Sequence, residues 1–176
     1  MAKRVVAEHF TRSGKPKVLY QSEMTARCEA MRLSKHWYEC EFNGARHWHI
    51  GGEKHYAPRE VVLPEKSLIL FVSKEALEQN VDAYEACRYG WKLPSPKMLE
   101  VEYVIAARGL IVIGVFTRPM WLPATAEFFP TKSPRPAGYM GFTAEKAAPF
   151  HRSLEWCELP QRQGRPKKSP PFLFTF

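Results

Sequence analysis

The sequence predicts an α+β protein in two parts, a small N-terminal ββαββ module followed by a larger mixed β-barrel with flanking helices. Three observations predict it. Residues 1–52 hold two strand-turn-strand patterns around a short helix pattern. Residues 53–66 are charged and broken by Pro58 and Pro64, as a linker would be. Residues 67–176 open on an apolar strand, pass through a helix pattern, and enter a hairpin of two strongly apolar strands. At 176 residues and 45% hydrophobic, the chain can bury one sizeable core with a small module attached.

In the first part, Val5 to Phe10 and Lys17 to Tyr20 are strand candidates around Ser13-Gly14. Ser22 is an N-cap residue, and strong helix formers follow it to about His36. Trp37 to Phe42 and His47 to Ile50 then flank Asn43-Gly44, the dipeptide that most readily takes the two left-handed conformations of a type I′ turn. In the second part, Ser67 to Ser73 is a strand and Lys74 to about Trp91 a helix, stopped by Pro94 and Pro96. Met98 to Ala107 and Leu110 to Phe116 make the apolar hairpin, joined at Arg108-Gly109. Trp121 to Phe129 is a further strand candidate, and Pro130 to Gly138 is a solvated loop. Thr143 caps a helix from Ala144 to about Arg152, and the apolar segment Phe172 to Phe176 is expected to close the sheet as a strand.

The chain carries 26 basic and 18 acidic residues. The excess is even, 12 against 8 over residues 1–66 and 14 against 10 over 67–176, so it favours polyanions without locating a groove. Cys28, Cys40, Cys87 and Cys157 are widely spaced and include no CxxC pair, which implies reduced thiols in a cytoplasm. The longest apolar run, Leu110 to Phe116, is too short to span a bilayer, and the N-terminus lacks the apolar stretch of a signal peptide. A cytoplasmic protein with no membrane partner is therefore expected.

Cys40, His47 and His49 form the densest metal-capable group, because residues 47 and 49 project to one face of a strand that pairs with the strand of Cys40. The run from Lys17 to His49, through Tyr20, Ser22, Ala26, Ala30, Tyr38, Cys40, Trp48 and His49, resembles a zinc-ribbon-like module of bacterial and phage proteins that closes on Tyr-x-Cys-x-x-Cys-x-x-Trp-His. This chain has Asn43 at the second Cys position and two extra residues before Trp48-His49. Zinc is the cofactor this resemblance implies; the competing reading is a metal-free hairpin with surface histidines.

Residues 67–176 resemble the PUA-like barrel group, which includes EVE and ASCH domains. The resemblance is carried by Glu85 to Leu93 (EACRYGWKL), the strand pair through Val112 to Phe116, Trp121, and Gly141-Phe142. Here the order at residue 88 is Arg-Tyr-Gly-Trp where the pattern has Arg-Gly-x-Trp. The resemblance implies a small barrel that binds RNA or reads a modified or flipped DNA base, by stacking the base on an aromatic face while cations hold the phosphates. Tyr89, Trp91 and Trp121 are then the aromatic candidates, and Arg88 and Lys92 the nearby cations. Arg162, Arg165, Lys167 and Lys168 form a phosphate-contacting strip. The competing readings are that the tryptophans are core packing and the strip a solvated loop.

No Gly-rich phosphate loop, HExxH, Gly-x-Ser-x-Gly or dinucleotide fingerprint occurs, so a binding protein is expected rather than an enzyme. Two functions follow: binding of RNA or DNA, or docking on a host protein as an interaction or inhibitor module from a phage or mobile element.

Overall fold

The computed structural model describes residues 18–33, 35–42, 44–51, 61–80, 82–147, 153–160 and 171–176. It is α+β, and the chain divides into two compact units, Met1–Pro58 and Arg59–Phe176.

In the first unit, α1 (Glu23–Arg32) starts where Ser22, in extended backbone, accepts a hydrogen bond on its Oγ from the Thr25 N–H. The residues α1 buries, Thr25, Ala26, Cys28, Ala30 and Met31, are mostly small, which lets the helix lie close to a sheet. That sheet has the order β1-β3-β2, with β1 at Leu19–Tyr20, β2 at His36–Phe42 and β3 at Ala45–Gly51. The β2–β3 hairpin closes through Gly44 at φ 74°, a conformation that costs glycine nothing. The expected strand at Val5 to Phe10 lies outside the described residues.

In the second unit, Val61 and Leu63 pack inward ahead of the sheet: Val61 is buried, its N–H donates to the Glu158 carbonyl, and Leu63 lies against the core. Among the described residues the unit forms one curled half-barrel sheet of order β5-β8-β7-β6-β4-β9. Its strands are β4 (Ser67–Phe71), β5 (Tyr89–Trp91), β6 (Tyr103–Arg108), β7 (Ile111–Pro123), β8 (Met140–Lys146) and β9 (Phe172–Phe174). Strands β4 and β6 pair in parallel; their connection holds α2 (Lys74–Gln79), α3 (Ala83–Cys87), β5 and α4 (Ser95–Met98). Strand β4 is buried along its whole length: Leu68 to Phe71 are apolar, and the polar Ser67 donates its hydroxyl to the Pro64 carbonyl. One face of the sheet packs Ile69, Phe71, Ile105, Val112 and Val115 against Leu159 and Ala147. On the other, Gly114 leaves room for α3: a Cβ there would stand 3.3 Å from that of Ala83 and 2.8 Å from the Phe116 ring.

Four expectations change. The helix expected over 74–91 is two helices and a strand, because Asn80 turns extended and donates to the Ala76 carbonyl, ending α2, while Asp82 caps α3 by accepting from the Glu85 N–H. The strand expected from Met98 starts at Tyr103, after α4. Of the strand expected at Trp121 to Phe129, only residues 121–123 are extended, as the far end of β7, which runs on past Phe116 through a bulge at Arg118 (φ 53°); residues 124–129 turn away into a loop. Finally, residues 144–146, expected to be helical, belong to β8, where pairing with β7 overrides local helix propensity. The apolar segment Phe172 to Phe176 does supply a strand, β9, antiparallel to β4.

Candidate nucleic-acid interface

Arg88, Tyr89, Trp91 and Lys92 lie where α3 runs into the edge strand β5, and Trp121 lies on β7, two strands away. Strand β5 has a bulge: Tyr89 pairs with Gly141 and Trp91 with the adjacent Met140. The extra residue is Gly90, at φ 86°, where a larger residue would be strained. In a regular strand Tyr89 and Trp91 would share a face. The bulge puts them on opposite faces.

On Gly141's face, the Tyr89 ring meets Phe129 edge-on, with centroids 5.0 Å apart. Its hydroxyl lies within bonding distance of two carbonyls, Ala124 at 2.9 Å and Ser133 at 2.7 Å, which its single proton serves in turn. Tyr89 thus straps the 124–139 loop to β5. On the opposite face, Trp121 pairs with Phe142 in register and packs on its ring at 5.2 Å. Among the described residues the buried Trp121 indole N–H has no hydrogen-bond partner. Trp91 is buried, 9% exposed, with its indole N–H donated to the Cys87 carbonyl. As folded it offers no open face to a base. The three aromatic candidates do not line one pocket.

Arg88 is committed as well. It pairs with Glu85 at 2.8 Å, and its guanidinium lies over the rings of Tyr84 and Phe129 at 5.5 and 5.3 Å. Lys132 reaches the other oxygen of Glu85 at 3.2 Å and donates to the Asn80 side chain at 2.7 Å. Burial raises the Glu85 pKa, but the hydrogen bonds and charges of Arg88 and Lys132 outweigh it, so the carboxyl sits below its ordinary range. These groups fasten the loop; they are not a free basic surface.

Lys92 and Arg135 are the cations that remain open around β5. Both are exposed, and neither forms an ion pair among the described residues. The Arg135 side chain lies over Gly90, its Nε 3.5 Å from where a Cβ would sit. The sequence pattern finds Lys92 but misses Arg135, Lys132 and Phe129, which reach the site only through the loop's path. A glycine between two aromatics in a short strand was the readable sign of the bulge. Arg162, Arg165, Lys167 and Lys168 lie outside the described residues.

In the first unit, Cys40 pairs with His47 and Tyr38 with His49, so Cys40, His47 and His49 do share a face. Their rings and nitrogens have nearer neighbours: His47 Nδ1 is 3.0 Å from the Ala45 carbonyl, His49 Nδ1 is 3.5 Å from that of Val18, and Tyr38 packs edge-on against His49. Among the described residues no three His, Cys, Asp or Glu side chains form a group that could hold a metal ion. No helix among them is long and apolar enough to cross a membrane.

No protein-family model, curated protein or solved structure matches this chain.

Proposed function

We propose that this is a nucleic-acid-binding protein whose second unit holds the phosphate backbone along strand β5. The observation that carries the reading is the pair of exposed cations, Lys92 and Arg135, that flank the Gly90 bulge without an acidic partner among the described residues. Phosphates supply the anion such a pair lacks, and displacing their counterions gives the binding free energy. The formal charge of +8 adds long-range attraction. The half-buried ring of Tyr89 lies at this edge, and that of Trp121 two strands in on the opposite face, each offering a base apolar surface to meet. A curled mixed sheet is also the kind of scaffold that the PUA-like resemblance implies.

The test is fluorescence anisotropy with labelled single-stranded RNA, single-stranded DNA, and duplexes with and without modified cytosine, each at two salt concentrations. Affinity that falls steeply with salt supports backbone contact, and preference for one probe class supports base reading. Absence of binding to every probe at low salt overturns the reading and redirects the search to a protein partner.

A further inference from the structure

The opposite edge of the same sheet carries a feature that the β5 site does not use. Phe172, Phe174 and Phe176 alternate along β9 and the residues after it, so their side chains share one side, while Leu173 packs on the core and Thr175 hydrogen-bonds Ser67 on the other. The three rings form a continuous row, with centroids 6.0 and then 5.7 Å apart and successive planes at 77° and 83°. No ring is covered by a parallel stack with its neighbour. Phe172 and Phe174 are half-buried, and Phe176 is 38% exposed.

The row is positively charged at one end. Lys97, on α4, places its ammonium 5.6 Å from the Phe174 ring centre and 5.5 Å from that of Phe176, and donates to the Phe176 carbonyl. The backbone adds polar groups. The N–H of Phe71 donates to Pro171 and that of Thr175 to Ser67, so residues 171 and 175 face β4, and by alternation Phe172 and Phe174 turn their N–H and C=O groups outward. In sequence, the chain beyond Glu158 has four cations and no acid.

We infer that this row is a stacking platform for the bases of a single-stranded nucleic acid, whose phosphates are drawn by Lys97 and the outward N–H groups. The spacing selects the strand type. Rings 5.7 to 6.0 Å apart are spread wider than the roughly 3.4 Å between stacked bases of a duplex, so only bases already unstacked can settle on successive rings. Charge selects nucleic acid over an apolar peptide, because the Lys97 ammonium at the rings and the formal charge of +8 on the chain complement phosphate. This inference rests on the nucleic-acid reading above and names the strand type and the second contact surface.

The experiment compares the unmodified chain with a variant carrying Phe172→Leu, Phe174→Leu and Phe176→Leu, and with one carrying Tyr at the same three positions. Anisotropy is read with a labelled single-stranded oligonucleotide and with its duplex. Leucine keeps apolar bulk and removes the π-face; tyrosine keeps the face. Single-strand affinity is expected to fall about tenfold or more in the leucine variant and to persist in the tyrosine variant, with duplex affinity changed less than about twofold. Phe176→Leu alone, at the most exposed ring, is measured in parallel so that a folding defect in the triple variant does not decide the result. If the leucine variants bind the single strand as the unmodified chain does, the platform is overturned and the β5 reading stands. If the unmodified chain binds no probe, both fall together.

Discussion

Phe129 occupies the space that a side chain on Gly141 would need. A Cβ built on Gly141 would lie 2.7 Å from Phe129 Cε2 and 2.9 Å from the Arg88 carbonyl oxygen, which itself accepts the Phe142 N–H. Neither neighbour can give way easily, since Phe129 is fully buried and the other contact is backbone. Gly141→Ala is expected to destabilise the protein by about 2–4 kcal/mol through overpacking. Gly138→Ala is the control: it meets no atom within 4 Å and carries only the strain of a positive φ, 87°, for a cost of about 1 kcal/mol. Urea midpoints of the two variants check the order.

Glu85 links stability to pH. Its folded-state pKa is lowered, so the stabilisation is complete above the ordinary carboxylate value of 4.5 and is lost as pH falls through the lower folded value. Glu85→Gln leaves Arg88 and Lys132 facing each other without their shared anion and is expected to cost about 1–3 kcal/mol at pH 7. The penalty should be smaller at an acid pH well below 4.5, as the carboxyl of the unmodified protein takes up a proton through its lowered folded value. Denaturation curves for both proteins at the two pH values measure this; a penalty unchanged between them would show that the ion pairs are not its source.

The four cysteines are buried, and none is in a disulfide. Burial pushes the Cys87 thiol far above its ordinary value, with Asp82 adding to the rise, and Cys40 is raised by burial and then by Glu39. The thiolate is the reactive form, so native protein at pH 8 should react with a thiol reagent slowly, Cys87 slowest of all, and all four should react promptly in denaturant. Mass mapping of labelled peptides over time gives the order. Rapid native labelling of Cys87 would contradict its burial.

Should nucleic acid bind along β5, Lys92→Ala and Arg135→Ala should each reduce the slope of log affinity against log salt by about one, and weaken all sequences alike. Lys132→Ala should act differently, lowering stability by loosening the loop from Glu85 and Asn80. Salt titrations and thermal melts on the three variants separate the two behaviours.

Features with local signals were legible before the fold was known. Ser22 followed by helix formers, and Gly44 between two alternating runs, announce their structures within a few residues. Strand β4 could be read from its apolar run alone. Residues 144–146 read as helix because Ala-Glu-Lys is good helix sequence, and only pairing with β7, Glu145 with Thr117 and Lys146 with Phe116, makes them a strand. The candidate site was half legible. Lys92 and the aromatics were found by type, but their sorting onto two faces depends on one inserted glycine, and Arg135 arrives over that glycine from a loop with no periodic signal.

The order of the strands has a consequence for how the protein is made. Of the six strands in the large sheet, β4 is the earliest in the chain and β9 the latest, yet they are neighbours. Until β9 has left the ribosome, Leu68, Ile69 and Leu70 stand on an open sheet edge, the arrangement most prone to pairing with another chain. Folding of this sheet therefore waits for β9, and a nascent chain halted before Phe172 presents an adhesive apolar edge to whatever is nearby.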